Sequence, residues 1–186
     1  MSTQLVKRRF TVEQYHQIHE AGILTENDRV ELINGEILEI AAIGKLHAAY
    51  VDCISNLLYA SLGRKVIVRV QNPIIVSNLS EPQPDITIVQ FSSDFYRSGL
   101  PQPNDILLLI EIAGSSIEYD RDVKIPLYAE SGILEVWLVD INQQIIEVYR
   151  QPTPTGYTEI KTLNRGEKLS IQSFPEISLN LNDIFG

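Results

Sequence analysis

An almost uninterrupted apolar run, ILLLIEIA at residues 106–113, restricts the fold more than any other segment of the sequence. Its β-branched residues favour a strand, and a strand that is apolar on both faces must be covered on both faces. Apolar residues make up 44% of the 186-residue chain, which is enough to bury such a strand in a core. We therefore predict a single domain over residues 1–186, built around a central strand at 106–113.

The other segments complete an α+β domain with an α/β core, in which helices flank a mixed, curved sheet. A capping box at Thr11 begins the first predicted helix, and Asn34-Gly35 is a strong hairpin signal between two strands. Apolar residues at three- and four-residue steps, including Leu46 and Ala49, predict the longest helix. The predicted helices are 12–21, 45–62 and 119–131, the last with an internal Pro126, and the predicted strands are 30–33, 36–40, 66–70, 73–77, 85–89, 106–113, 135–140, 144–150 and 155–163.

The charge of the chain is acidic and unevenly distributed. Asp and Glu number 24 against 15 Lys and Arg, which gives a net charge of −9. Residues 11–60 carry −6 and residues 81–140 carry −8, whereas Arg64, Lys65 and Arg69 form a local basic strip. The acidic average excludes a protein that coats nucleic acid by bulk charge, but it leaves room for a metal-dependent site beside that strip.

The cysteine content and the apolar runs indicate the compartment. Cys53 is the only cysteine, so an intrachain disulfide is excluded and a reducing environment is indicated. Its helical spacing with Tyr50 and Leu57 predicts a buried, inert thiol. The longest uninterrupted apolar run, 106–110, is too short to span a membrane. We therefore expect a cytoplasmic protein without a membrane partner.

Three residues with possible chemistry are interpreted as structural. His16 and His19 lie three apart on the first predicted helix, a spacing that could hold a metal. A solvated polar face on a terminal helix is the favoured interpretation of this pair. Trp137, within VWLVD, is predicted to lie in the core rather than to stack on a nucleobase.

Two carboxylates within apolar strands are the most informative candidates for chemistry. Asp85 opens the strand at 85–89, and Glu111 interrupts the central strand near its end. A carboxylate in such a strand is costly unless a partner or a metal stabilises it, although either residue could be solvated at a strand end. Asp120, Lys124 and Tyr128 share one face of the next helix, where Lys124 could form a surface ion pair or point at the two carboxylates. A Mg²⁺ between the two acids, with a lysine holding the attacking water, suffices for phosphodiester hydrolysis.

The sequence also resembles a known family. The Pro-Asp before one strand and the Glu-Ile-Ala that ends the next resemble the PD-(D/E)XK nuclease signature. The wider sequence resembles the large bacterial family of putative restriction endonucleases, over roughly residues 10–150. The motifs that carry this resemblance are, in chain order, RVELINGEI, a helix with a histidine, VQNPI, EPQPDI, LLLIEIA and DRDVKIPLYAESGILEVWLVD.

The resemblance implies a restriction-endonuclease-like fold and a metal-dependent active site. By it, Asp85, Glu111 and the carbonyl of Ile112 are the ligands of Mg²⁺ or Mn²⁺, and DNA is the substrate. The general signature has a lysine two residues after the Glu, where this chain has Ala113. The family supplies that lysine from the following helix, and Lys124 matches the position.

Five further residues match supporting positions of the family. Glu31 and His47 are implied as catalytic helpers, Glu31 as a further metal ligand or as an acceptor that supports one. Gln71, Asp120 and Tyr128 are implied as supporting residues, of which Gln71 and Tyr128 could orient the phosphate or the lysine. A half-exposed strand acid, a histidine at the edge of the core and ordinary hydrogen bonding explain these residues equally well.

Three functions follow from these observations. The first is a Mg²⁺- or Mn²⁺-dependent DNA endonuclease, which by analogy with nucleases that cut both strands could be a homodimer. The second is a nuclease-fold protein that binds a partner without cutting, motivated by Ala113 and the acidic surface. The third is a two-carboxylate glycosidase, and it ranks low because no aromatic-rich sugar platform is evident.

Overall fold

A computed structural model describes residues 7–25 and 27–186. In chain order, the elements are α1 (Val12–Glu20), β1 (Val30–Ile33), β2 (Glu36–Glu39), α2 (Lys45–Leu62), β3 (Val66–Val70), β4 (Ile86–Gln90), β5 (Ile106–Ala113), α3 (Ile117–Tyr119), a π-helical segment (Asp120–Lys124), α4 (Ile125–Glu130), β6 (Glu135–Asp140), β7 (Ile145–Thr153), β8 (Gly156–Asn164), β9 (Lys168–Ile171), β10 (Phe174–Asn180) and α5 (Leu181–Phe185). Short 3₁₀ helices precede β3 and β5. Among the described residues, no helix is both long and apolar enough to cross a membrane.

A six-stranded mixed sheet forms the centre of the molecule, in the order β3-β4-β5-β6-β7-β8. Neighbouring strands are antiparallel except β5 and β6, which are parallel and joined by the α3–α4 connection. The central position predicted for 106–113 is confirmed, with Leu108 and Ile110 packed on the α2 side and Leu109 on the α4 side. Trp137 is fully buried on β6, as predicted.

Two small sheets lie beside this central one. Strands β1 and β2 form the hairpin predicted around Asn34-Gly35, although β2 ends one residue earlier than predicted. Strands β9 and β10 form a second hairpin over the α2 side of the central sheet. Strand β10 is not among the predicted elements, because the alternation of FPEISLN is broken by its proline and by a register shift in the pairing.

The strand predicted at 73–77 is wrong. Ile74 and Val76 are buried, but the segment forms an isolated bridge at Ser77 and scattered backbone hydrogen bonds to Pro82, Ser80 and Pro101 instead of a strand ladder. A buried irregular segment produces the same alternation of apolar residues as a strand, so the pattern alone does not distinguish them.

The predicted surface of α2 also needs correction. Its bounds agree with the prediction, but Leu46 and Ala49 are exposed, and Leu46 has 57% of its surface accessible. The apolar stripe therefore begins one turn later, at Val51 and Ile54. Cys53 is half-buried rather than fully buried, and its thiol donates to the carbonyl of Asp183 in α5.

Candidate active site

The start of β4 lies beside the end of β5 because the two strands are antiparallel. Ile86 pairs with Ile110, so Asp85 reaches the part of β5 that carries Glu111 and Ile112. The Ile112 N–H donates to Asp85 Oδ2 at 2.8 Å. Strand pairing thus brings together the two acids that the sequence singled out.

Glu111 is enclosed by the protein and touched from the α4 side. Only 3% of its surface is accessible. The hydroxyl of Tyr128 donates to Glu111 Oε1 at 2.5 Å, and Lys124 Nζ lies 3.4 Å from the same oxygen. Two of the residues predicted to share a helix face therefore both reach this carboxylate.

Lys124 is buried and faces the site. Its Nζ lies 3.2 Å from Glu31 Oε2 as well as 3.4 Å from Glu111 Oε1. Among the described residues the structure gives it no ion pair with Asp120, so the interpretation as a surface pair is wrong. The side chain instead points at a carboxylate from each of two strands, β1 and β5.

Glu31 is positioned by residues that the sequence analysis did not single out. Its Oε2 accepts from the backbone N–H of Gln83 at 3.1 Å, and its Oε1 accepts from the Tyr119 hydroxyl at 3.3 Å. Gln83 lies two residues before Asp85, and Tyr119 lies one residue before Asp120. Proximity in sequence to a predicted site residue was the available signal for both.

Asp85 is held by a histidine and a glutamine. His47 Nε2 lies 2.8 Å from Asp85 Oδ1, and Gln71 Nε2 donates to the same oxygen at 3.4 Å. His47 comes from the first turn of α2, and Gln71 from the residue directly after β3. Both predicted supporting residues therefore contact a predicted metal ligand.

Asp120 completes the group of predicted residues. It is buried, and the Ser116 hydroxyl donates to its Oδ2 at 2.7 Å. It lines the same cavity as Asp85, Glu111 and His47, whose volume is about 480 Å³. All the predicted site residues thus lie in one region between β1, α2, β5 and the π-helical segment.

Burial of these groups shifts their protonation. Burial raises the pKa of Glu111 to about 8, and the nearby carboxylates of Asp120 and Asp85 add to this against the opposing effects of Lys124 and Tyr128. Burial likewise raises the pKa of Asp120. For Lys124 burial lowers the pKa, but Glu111 and Glu31 outweigh it and hold the pKa above its ordinary value. Lys124 is therefore protonated at neutral pH, whereas Glu111 and Asp120 keep their protons to a higher pH than ordinary carboxyl groups do.

The donor atoms fit a hard divalent cation. Asp85 and Glu111 offer carboxylate oxygens, and Ile112 a backbone carbonyl at the same point of β5. Within residues 7–25 and 27–186, no three His, Cys, Asp or Glu side chains are close enough to hold a metal by themselves. Two carboxylates and a carbonyl suit Mg²⁺, which keeps several waters and takes few protein ligands.

A second cleft continues from this cavity past Asp85 towards α1. It has a volume of about 700 Å³ and is lined by His16, Arg29 and Glu81. His16 is half-exposed, which fits its interpretation as part of a solvated polar face, but its Nε2 also lies 2.5 Å from the buried carboxylate of Glu81, a contact that was not predicted. The signal that was missed is an acid four residues before Asp85, in the segment EPQPD.

Comparisons with known proteins identify the fold and the family. A crystal structure of a "putative nuclease belonging to DUF820" from Anabaena variabilis ATCC 29413 matches with a TM-score of 0.73 and 19% sequence identity. The match covers 95% of this chain and 97% of that one, and it confirms the predicted nuclease-like fold. No curated protein matches the chain. The family model described as "Uma2: Putative restriction endonuclease" matches residues 12–182. Because that match spans most of its length, the chain belongs to the Uma2 family.

Proposed function

We propose that this protein is a Mg²⁺- or Mn²⁺-dependent endonuclease that hydrolyses phosphodiester bonds in DNA. Membership of the family supports a nuclease-like function. The observation that carries the finer proposal is the burial of Lys124 between Glu31 and Glu111, the second of which is a proposed metal ligand. Lys124 can supply the cation that the general signature places at the position of Ala113. The missing lysine there was a main reason for preferring a protein that binds without cutting.

Asp85, Glu111 and the carbonyl of Ile112 would hold the metal. When bound, the ion would neutralise charge on the scissile phosphate and lower the pKa of a water. His47 and Gln71 orient the Asp85 carboxylate, and outer contacts of this kind commonly matter for metal affinity. Each predicted ligand therefore has its own support within the chain.

Lys124 acts as a fixed cation in this proposal and not as a base. Its raised pKa keeps the ammonium protonated at neutral pH, so it has no free electron pair with which to take a proton. It can donate hydrogen bonds to the attacking water and to the phosphate, while Glu31 holds the ammonium and the Tyr128 hydroxyl holds Glu111. In the hydrolysis the water oxygen forms a new P–O bond and gives up a proton to solvent, while the P–O bond to the leaving oxygen breaks and that oxygen receives a proton from solvent.

We also propose that this activity belongs to a single domain over residues 1–186, in the cytoplasm, where the lone Cys53 suits a reducing environment. A homodimer suits an enzyme that cuts both strands of a duplex.

Cleavage of plasmid DNA by the purified chain tests the proposal. We expect cleavage with Mg²⁺ or Mn²⁺, none in EDTA, and a loss beyond about a hundredfold in Asp85→Asn, since that change removes a proposed ligand rather than an outer contact. Asp52→Asn, which alters an exposed acid on α2, is the matched control and should cleave normally. Undiminished cleavage by Asp85→Asn in a preparation free of other nucleases would falsify the assignment.

A further inference from the structure

The central sheet ends in two strands whose outer edges differ. At the β3 edge, the Tyr59 hydroxyl from α2 donates to the carbonyl of Val68 at 3.0 Å, so part of that edge is covered. At the other edge, β8 pairs only with β7 among the described residues. The five successive residues Thr158–Thr162 are all exposed, and Ile160 has 59% of its surface accessible. An apolar residue at the middle of an open edge strand favours pairing with another strand.

The pairing with β7 determines which groups of β8 point outwards. Tyr157 lies opposite Pro152, which has no N–H, so this position is a non-hydrogen-bonded pair. Gln151 has a φ of +56° and its pair with Thr158 is absent from the ladder, so the alternation does not continue regularly through this position. The Ile141 N–H donates to Ala113 on the β5 side of β6, and counting the register from there places Glu159 and Lys161 at hydrogen-bonded positions with β7. The backbone N–H and C=O groups of the alternate residues Ile160 and Thr162 therefore point away from β7, towards the open edge.

The side chains of Glu159 and Lys161 carry opposite charges, so they are complementary to the same two side chains of a second copy related by two-fold symmetry. If two copies of β8 pair antiparallel about Ile160, Glu159 of one copy lies opposite Lys161 of the other, and the reverse pair forms as well. Pairing about Glu159 or about Lys161 would instead place two like charges opposite each other. Lys161 has no ion pair within 4 Å to any residue that the structure describes, so it is available for this contact.

We propose that β8 is a dimerisation edge, at which a second copy of this chain pairs antiparallel about Ile160 and joins the two central sheets into one. The outward N–H and C=O groups of Ile160 in each copy supply a pair of main-chain hydrogen bonds at the axis, where the two isoleucines meet. The same charges disfavour unrelated strands and shifted registers, so the edge accepts its own copy and resists indiscriminate association.

Charge exchange at these positions tests the proposal by sedimentation equilibrium. The wild-type chain should dimerise in the micromolar range. Lys161→Glu should raise the dissociation constant of the dimer by about tenfold or more, since it replaces two attractive cross-strand pairs by two repulsive ones. The double variant Glu159→Lys, Lys161→Glu restores opposite charges in the same register and should return the dissociation constant to near that of the wild type.

Lys65→Glu is the matched control, because it makes the same change in net charge at an exposed site before β3. It should leave the dissociation constant unchanged. A wild-type chain that stays monomeric, a dimer insensitive to Lys161→Glu, or a double variant as weak as the single one would each overturn the proposal. Circular dichroism of every variant shows whether it is folded, and none of these outcomes depends on nuclease activity.

Discussion

At the scale of single residues, Lys124, Glu31 and Glu111 behave as one electrostatic unit. Each is almost fully buried, and the ammonium lies within 3.4 Å of an oxygen from both acids. Buried charges are costly individually, and removal of one partner leaves the others uncompensated. Substitution of any one of these three site residues should therefore lower the free energy of unfolding of the whole domain.

Lys124→Met should destabilise the protein strongly. The methionine is similar in volume, but Glu31 and the ionised form of Glu111 lose the ammonium beside them, and breaking a buried pair typically costs about 3–5 kcal/mol. Denaturant unfolding in EDTA, at a pH above the raised pKa of Glu111, measures the change in the free energy of unfolding. Lys65→Met, an exposed lysine, should change it by less than about 0.5 kcal/mol. A similar small change for Lys124→Met would show that the three residues are not coupled.

Binding of Mn²⁺ should strengthen as the pH rises towards about 8. The raised pKa of Glu111 means that its carboxyl is largely protonated at pH 6, and a metal must displace that proton. The apparent dissociation constant should therefore fall between pH 6 and 8 and then level off. Isothermal titration calorimetry in two buffers of different ionisation enthalpy measures both the affinity and the released proton. An affinity that stays flat across this range would contradict the role of Glu111 as a ligand.

At the scale of elements, the π-helical segment explains how Lys124 turns inwards. The Ile125 N–H donates to the carbonyl of Asp120, five residues back, and Pro126 follows with no N–H to donate. The sequence predicted one helix over 119–131 and a missing hydrogen bond at Pro126. The structure instead has a wider turn between α3 and α4, which brings Asp120 and Lys124 into the interior together.

Gly35→Ala tests the hairpin that carries Glu31. Gly35 has a φ of +79°, and a Cβ there would lie 2.5 Å from Cβ of Arg9, so the variant suffers both backbone strain and a steric clash. We expect a loss of about 2 kcal/mol in unfolding free energy, together with reduced cleavage because β1 shifts.

Gly22→Ala separates the two effects in that experiment. Gly22 also has a positive φ, of +70°, but a Cβ there would have no atom within 4 Å. It should lose only the strain contribution of about 1 kcal/mol and keep full cleavage. Equal losses in both variants would mean that the contact with Arg9 does not constrain the hairpin.

At the scale of the whole molecule, the net charge of −9 opposes the binding of DNA. The acids Asp85, Glu111 and Asp120 line one cavity, and Glu81 lines the cleft that continues from it. A phosphate backbone can approach them only after cations offset part of this charge. From this acidity we expect the binding of DNA to depend on a divalent metal, as the proposed chemistry does.

Binding of a fluorescent DNA duplex should accordingly depend on divalent metal. Fluorescence anisotropy measures the binding. The Asp85→Asn variant, which lacks a proposed metal ligand, gives the background level of binding. The wild-type chain in Ca²⁺ should bind at least about tenfold tighter than in EDTA, and the gain should shrink as salt increases. Binding in EDTA as tight as in Ca²⁺ would show that the DNA avoids the acidic cavity.

The elements that the sequence predicted correctly are those whose signals act over a few neighbouring residues. The strand at 106–113, the Asn34-Gly35 hairpin and the bounds of α2 were predicted because side-chain period and turn chemistry act over a few residues. The strand at 73–77 was wrong and β10 was missed, since burial of irregular chain and a broken alternation both disguise the local signal. The single domain over residues 1–186 stays a prediction.

By itself, the sequence determined the apolar central strand and the two acids placed in costly positions, Asp85 and Glu111, because hydrophobicity and charge are properties of the residues themselves. Only the tertiary structure decided that Lys124 is buried between Glu31 and Glu111, and that His16 meets Glu81. These contacts join segments that lie far apart along the chain. Their existence depends on strand order and on a π-helical turn, and no local pattern of side chains encodes either.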